Sequence, residues 1–211
     1  PGTVIVSAGG EVNDVRKVVS PVVQNNPKTS LYHIDFSFDD LRLGGSAFAQ
    51  TLKKVGSDVP TVKNPEYFRD AFNAVQQLVE KGLIVAGHDI SAGGLITCLL
   101  EMCFANTEGG LEIDLDNFKC DDLIKVLFAE NPGVVVQVSN ANKAAFKKVL
   151  DEAGVAYIKL GQPTDERHIL ATKDGATYQF GIDYLRDVWY ETSYLLDTKQ
   201  SFNGCARKRY E

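Results

Sequence analysis

The residues with the clearest chemical potential form the run GHDISAGG at positions 87–94. Ser91 is a preferred N-cap residue, and the absent side chains of Gly93 and Gly94 would let a ligand approach the first free backbone N–H groups of a following helix. Such a helix start binds phosphate. Asp89, two residues before the cap, is suited to hold a Mg2+ ion that bridges the phosphate, because Mg2+ prefers carboxylate oxygen. The run therefore predicts a site for a phosphate group and its metal ion.

This prediction depends on the two apolar elements that flank the run. Residues 83–86 (LIVA) are typical of a short buried strand, and residues 95–105 are apolar on nearly every side, which at that length indicates a buried helix. Asp89 then lies at the carboxyl end of the strand. The same pattern also fits a capped helix with an aspartate in its turn, and spacing alone does not separate the two interpretations.

A second glycine turn occurs at residues 43–46 (LGGS), before a predicted helix at residues 47–54. Gly44 and Gly45 either face a ligand or serve a tight loop that needs the torsion angles of glycine. Both interpretations stay open from spacing alone.

Glu130 follows a predicted helix at residues 121–128 and precedes Pro132-Gly133. Its carboxylate could reach a ligand at the neighbouring strand, and a solvated loop glutamate is the alternative. The sequence leaves the roles of Glu130 and His88 open, and it assigns no catalytic residue.

The remaining periodicity predicts an α+β or mixed α/β fold, with one sheet covered by helices. Residues 134–138 and 84–89 are too apolar to face water, so we expect both to be central strands. Further strands are predicted at residues 3–8, 31–36, 111–115, 157–160, 167–172 and 177–180, the last two as a hairpin around Asp174-Gly175. Further helices are predicted from Pro65, capped by Asn64, to Gly82, and at residues 142–153 and 182–200.

The composition excludes several classes of protein. The chain has 211 residues, 44% of them hydrophobic, and a net charge of −6, so nucleic acid binding has little electrostatic support. No apolar run approaches the roughly 20 residues of a membrane-spanning helix. The four cysteines (Cys98, Cys103, Cys120 and Cys205) form no C-x-x-C pair, which with the absence of a signal-like start predicts a cytoplasmic protein. A chain that opens on Pro1 without Met suggests a fragment.

The central run extends into a longer pattern. HDISAGG with Leu95, then LLEM at residues 99–102 and Phe104-Ala105, resembles the H-D-x-S-x-G-G-L…L-x-E-M-x-F-A signature of the formylglycinamide ribonucleotide amidotransferase family, in its long single-chain form. The resemblance continues in GTVIVSA at residues 2–8, DVRK at 14–17, LGGSAFAQ at 43–50, LFAE at 127–130 with Gly133, and VWYET at 188–192. It covers nearly the whole chain.

This resemblance implies a function and a fold. The family converts formylglycinamide ribonucleotide to its amidine, using ATP to activate the amide oxygen and ammonia from glutamine. The fold implied is the carboxy-terminal domain of the aminoimidazole ribonucleotide synthetase superfamily, an α+β domain with layers of helices and a mixed sheet. The cofactors implied are Mg2+ and ATP or ADP, with Asp89 as Mg2+ ligand and Ser91, Gly93 and Gly94 at the nucleotide. Gly44 and Gly45 would face the phosphate or the substrate. Ala92 stands where many relatives carry Asp.

The resemblance also implies an organisation. Residues 1–181 would be the second C-terminal subdomain of the synthetase core, and residues 182–211 a long helix and tail leading to the next domain. The partners would be the remaining synthetase subdomains and the glutaminase domain of a longer chain, so the fragment would be inactive alone. The family has a catalytic and a structural nucleotide pocket, and we favour the structural one. The alternatives are a free-standing synthetase or kinase of the same superfamily and a non-catalytic interaction module.

Overall fold

The computed structural model describes residues 5–12, 14–202 and 204–210. Its single seven-stranded sheet has the order β2-β4-β1-β5-β3-β6-β7. All neighbouring strands are antiparallel except β3 and β6, which are parallel. The predicted α+β fold with a layered mixed sheet is therefore confirmed. Within the described residues, no helix combines the length and apolar character needed to cross a bilayer.

Most elements follow the predicted runs within a few residues. The strands are β1 (Thr29–Asp35), β2 (Ala86–Asp89), β3 (Gly110–Asp114), β4 (Gly133–Ser139), β5 (Tyr157–Thr164), β6 (His168–Lys173) and β7 (Ala176–Gly181). The α-helices are α1 (Ala47–Thr51), α2 (Pro65–Glu80), α3 (Gly94–Phe104), α4 (Leu123–Phe128), α5 (Lys143–Glu152), α6 (Ile182–Gln200) and α7 (Cys205–Tyr210).

Two hydrophobic clusters lie on opposite faces of the sheet. Strand β1 alternates between them, because successive side chains of a strand point to opposite faces. Leu31 packs with the buried residues of α3 and α4, whereas Tyr32 and Ile34 pack with those of α2 and α5. Helix α3 is buried along most of its length, as the sequence predicted. The candidate site at its start is therefore anchored in one of the two cores.

Local signals set several element ends. Asn64 accepts hydrogen bonds from the Glu66 and Tyr67 amides and caps α2, whose first residue is Pro65. Asp174 and Gly175, with φ of 51° and 77°, form the two-residue turn between β6 and β7. These predictions are confirmed.

The structure corrects two strand predictions. Residues 5–8 form no strand, and Ile5 and Val6 are 88% and 84% exposed; residues 3 and 4 of the same prediction lie outside the described residues. Strand propensity needs a partner strand, and none of the described strands pairs with this segment.

The strand before the central run begins at Ala86, later than predicted. The Leu83 amide donates a hydrogen bond to Leu78 O, so this residue still completes the end of α2 and is not part of the strand. Strand β2 is an edge strand and not a central one, although β4 lies inside the sheet as expected.

Candidate functional site

The central run folds as a strand-to-helix turn whose cap differs from the prediction. Strand β2 ends at Asp89 and α3 begins at Gly94. The N-cap is Gly93, in the left-handed conformation at φ 88°, and not Ser91. Gly94 is also left-handed, at φ 71°, so two glycine torsions place the helix start later than a serine cap would. The Ser91 carbonyl instead accepts a 3.0 Å hydrogen bond from the Gly94 amide.

The outer side of this turn is open to solvent. The Asp89 side chain is 72% exposed, and Ser91 and Ala92 are exposed. No three His, Cys, Asp or Glu side chains come together to hold a metal ion in the described part of the chain. Mg2+ needs only one or two protein carboxylates when phosphate and water supply its other ligands. Asp89 therefore fits a metal site as a single ligand and not as part of a complete cage.

The inner side of the turn is closed by the protein itself. The Gly93 amide donates a 2.8 Å hydrogen bond to Glu130 Oε1. A side chain on Gly94 would lie 2.7 Å from Phe128 Cα, in the backbone at the end of α4. Gly94 is thus required for packing, whatever approaches the turn from outside.

The second glycine turn has internal partners for its amides. The Gly44 and Gly45 amides donate to Asp58 O at 2.8 Å and to Val55 O at 2.6 Å. A Cβ atom on Gly44 would lie 2.5 Å from Asp58 O, so only glycine allows this approach. Ser46 caps α1 through a 3.2 Å hydrogen bond from the Ala49 amide. These contacts favour the tight-loop interpretation of the glycine pair.

The segment after α4 joins the two turns. Glu130 Oε1 accepts one hydrogen bond from the Gly93 amide and one from the Ala47 amide, each 2.8 Å long. The Phe128 ring stacks on Phe48 with ring centroids 4.8 Å apart. Asn131, which is buried, accepts from the Arg42 amide at 3.2 Å and donates to Asp40 O at 3.0 Å. Sequence reasoning raised Glu130 as a candidate but did not anticipate that its partners are backbone amides.

The loop before the second turn carries an ion pair whose carboxylate is buried and whose arginine is partly exposed. Asp39 Oδ2 lies 3.1 Å from Arg42 Nε, and the Asp39 side chain is 1% exposed. Burial by itself raises the pKa of Asp39, but the Asp40 amide, Arg42 and Lys63 together hold the pKa below its usual value. Arg42 also pairs with Asp58, which lies beside Gly44. The charge on Arg42 is thus neutralised within the loop.

A polar network that the sequence did not reveal runs from the central turn to the last long helix. His88 Nδ1 lies 2.8 Å from Asp89 O and 3.5 Å from Asp89 Oδ1. His88 Nε2 lies 3.5 Å from Glu101 Oε2, and the Trp189 indole N–H donates to Glu101 Oε1 at 3.0 Å. Trp189 comes from a distant part of the chain, so no local spacing could predict its contact with Glu101.

A cavity of about 380 Å3 lies elsewhere, on the sheet between β3, β5 and β6. Glu112, Asp114, Lys159 and Thr172 are among its lining residues. Neither glycine turn contributes to this cavity. We place the candidate site at the central turn, because the turn combines an exposed carboxylate, an exposed hydroxyl and a helix start.

Comparison with known proteins gives one family. Residues 34–173 match the family described as AIR synthase related protein, C-terminal domain. The whole chain is 34% identical over 213 residues to the probable chloroplastic or mitochondrial phosphoribosylformylglycinamidine synthase of Arabidopsis thaliana, and covers 15% of it. It is 34% identical over 210 residues to the human phosphoribosylformylglycinamidine synthase, with 97% of this chain and 16% of that one covered. The chain thus spans about a sixth of these relatives.

Solved structures share the fold. Thermotoga maritima PurL complexed with ATP superposes with a TM-score of 0.63 at 14% identity, over 82% of this chain and 28% of that one. The same protein complexed with FGAR gives a TM-score of 0.64 at 16% identity, over 82% and 30%. At this identity the likeness shows a common architecture.

Proposed function

The chain belongs to the family described as AIR synthase related protein, C-terminal domain, and from that premise we propose that it is part of a phosphoribosylformylglycinamidine synthase. The observation that carries the proposal is the 34% identity to two synthases of that name along nearly the whole chain. The reaction proposed consumes formylglycinamide ribonucleotide, ATP and glutamine and gives the amidine, ADP, phosphate and glutamate.

Within that enzyme, we propose that the turn at residues 89–94 holds a Mg2+ nucleotide. The metal would neutralise charge on the phosphate groups of this nucleotide. Asp89 would contribute one carboxylate oxygen to the metal, which its exposure permits. The exposed hydroxyl of Ser91 would donate a hydrogen bond to a phosphate oxygen. Gly93 and Gly94 would shape the turn through their left-handed torsion angles.

Gly44 and Gly45 have a supporting role in this proposal. Their amides already donate to the carbonyl groups of Asp58 and Val55, so they are not free to bind a ligand. The pair would instead shape the loop that borders the site. In the described residues Asp89 belongs to no group of three or more His, Cys, Asp or Glu side chains, so further metal ligands would come from phosphate, water or the partner subdomains. As in the sequence analysis, we favour the structural nucleotide pocket over the catalytic one.

We propose the same domain division as the sequence suggested, with residues 1–181 in the synthetase core and residues 182–211 leading to the next domain. The first part of α6 packs on α3 through Ile182 and Leu185. Leu195, Leu196 and Phe202 are exposed farther along the chain and are available to neighbouring subdomains.

A glutaminase domain would have to be supplied by the rest of the parent chain. Burial raises the pKa of the Cys98 thiol, and it raises the pKa of Cys103 to about 12. Such thiols are poor nucleophiles, because the thiolate is the reactive form.

We also propose a cytoplasmic location, supported by four free cysteines. The name of the Arabidopsis relative places that protein in the chloroplast or mitochondrion, so the plant organelles are the alternative.

The test is an assay of the full-length protein that contains this chain. With formylglycinamide ribonucleotide, ATP, Mg2+ and glutamine, mass spectrometry should detect the amidine together with equal amounts of ADP and glutamate. Omission of the ribonucleotide is the control and should abolish amidine formation. The isolated 211-residue chain should form neither amidine nor glutamate. Absence of amidine from an intact, folded full-length protein would refute the proposed function.

A further inference from the structure

We propose that Glu130 is a positioning residue, which fixes the two glycine turns relative to each other and thereby holds the nucleotide-binding face of the central turn in place. This inference rests on the proposed function. The inference adds to the proposed site a residue that touches neither metal nor nucleotide and acts through the backbone of both turns.

The geometry of one oxygen atom supports the inference. Glu130 Oε1 accepts the amides of Gly93 and Ala47, each at 2.8 Å. Gly93 is the N-cap of α3, and Ala47 is the first residue of α1. Amides at helix starts have no acceptor in their own helix. One carboxylate oxygen therefore supplies an acceptor to two separate helix starts and brings them to a common point.

A carboxylate suits this position better than a neutral group. Hydrogen bonds to an ionised acceptor are roughly twice as strong as neutral ones, and negative charge is favourable at helix starts. Glu130 is only partly exposed, so solvent competes less for its hydrogen bonds than it would at an open surface. The same stretch of chain is held on both sides, by the stacking of Phe128 on Phe48 and by the hydrogen bonds of Asn131.

A short stretch of backbone connects Gly93, which Glu130 holds, with the candidate ligand residues Ser91 and Asp89. Gly93 lies two residues after Ser91 and four after Asp89, and both of these side chains are at the exposed rim. Gly93 and Gly94 occupy left-handed torsions that depend on the contacts around them. Loss of the acceptor at Gly93 would free the turn to adopt other conformations, so fewer molecules would present Asp89 and Ser91 together. The apparent affinity for a ligand falls with that fraction.

The test compares Glu130→Ala with Glu130→Gln in the full-length enzyme, with Glu108→Ala and Glu108→Gln as matched controls at an exposed loop glutamate. Glutamine keeps an oxygen in place that can accept both amides, whereas alanine removes it. We expect Glu130→Ala to weaken Mg2+-ADP binding by about tenfold. Amide hydrogen exchange at Gly93 and Ala47 should accelerate in the same variant. Glu130→Gln should stay within about threefold of the unmodified enzyme in both measurements.

The outcomes separate the possible roles. If Glu130→Gln weakens binding as much as Glu130→Ala does while exchange at Gly93 stays slow, the carboxylate is a direct ligand and the positioning role is wrong. If Glu130→Ala changes neither binding nor exchange, the role is also wrong. If Glu130→Ala does not fold, Glu130→Gln must still show near-normal binding and slow exchange for the inference to stand.

Failure of the proposed function gives a different pattern. The unmodified enzyme would then bind no Mg2+-ADP and form no amidine. The proposed effect of Glu130 on nucleotide binding would then also be wrong. The exchange rates at Gly93 and Ala47 would still increase in Glu130→Ala.

Discussion

The indole N–H of Trp189 donates a 3.0 Å hydrogen bond to Glu101 Oε1, and this bond fastens α6 to α3. Glu101 Oε2 lies 3.5 Å from His88 Nε2, so α6 is connected through Glu101 to the residue beside Asp89. The Trp189 ring also packs on Phe104, with centroids 5.5 Å apart. The position of α6 and the conformation of the central turn are thus supported by one network.

Replacing Trp189 tests this connection. We expect Trp189→Phe to lower the free energy of unfolding by about 1 kcal/mol, because it removes the hydrogen bond to Glu101 and keeps an aromatic ring near Phe104. Urea denaturation followed by circular dichroism measures the change. Glu101→Gln is the control, since its amide oxygen can still accept the indole N–H. Equal stability of Trp189→Phe and the unmodified chain would show that the hydrogen bond contributes nothing.

The candidate metal ligand is tested by a pair of substitutions in the intact enzyme. Asp89→Asn should weaken retention of the Mg2+ nucleotide far more than Ser91→Ala does. The first substitution removes a charge pair with a divalent ion, worth several kcal/mol, whereas a neutral serine hydrogen bond contributes only about 1 kcal/mol. Isothermal titration with Mg2+-ADP and steady-state kinetics measure both variants.

The same two variants distinguish the kind of pocket. In a structural pocket, Asp89→Asn lowers the melting temperature and the amount of copurifying nucleotide, with the KM for ATP nearly unchanged. In a catalytic pocket, turnover falls first. Negligible effects of both variants on binding, stability and turnover would mean that the turn is only a helix start and that the roles given to Asp89 and Ser91 are wrong.

His33 should make stability depend on pH. It is buried in β1 against Phe118, and burial lowers its pKa to about 4, against the opposing charge of Asp35. Because the pKa in the folded state is below the ordinary value of 6.5, the unfolded chain binds the proton first as pH falls. The stabilisation is complete above about pH 6.5 and is lost towards pH 4, by up to about 3 kcal/mol.

The comparison of the unmodified chain with His33→Gln isolates this contribution. The variant is less stable at pH 7, but its free energy of unfolding should change less between pH 6.5 and pH 4. Chemical denaturation at a series of pH values gives both curves. Parallel curves would show that His33 does not titrate differently in the folded and unfolded states.

Gly94 should tolerate no side chain. Its Cβ atom would lie 2.7 Å from Phe128 Cα, and its φ of 71° disfavours other residues. We expect Gly94→Ala to destabilise the fold by about 2 kcal/mol or more, because the clash is with backbone. Gly9→Ala is the control, since an added Cβ atom meets nothing within 4 Å there. Thermal unfolding measures both, and similar melting temperatures would contradict the packing role of Gly94.

Strong local signals made much of the fold predictable from sequence. The long helix at residues 182–200, the Asn64 cap and the hairpin at Asp174-Gly175 were predicted correctly, because each depends on neighbouring residues. The strand predicted at residues 3–8 was wrong for its described part, since a strand exists only where a partner edge is available. The position of β2 at the edge of the sheet could not be predicted from the local sequence pattern, because long-range pairing decides the order of the strands.

The candidate site shows the same division. The sequence by itself determined that a glycine turn with Asp89 and Ser91 lies between a strand and a buried helix, because residue type and apolar periodicity are local properties. Only the tertiary structure decided that Gly93, and not Ser91, caps α3, because a torsion angle depends on what surrounds the turn. It also decided that Glu130 joins both glycine turns and that Glu101 meets His88 and Trp189. Glu130 and Trp189 are far in sequence from their partners, and only the packing of the helices on the sheet brings them within hydrogen-bonding distance.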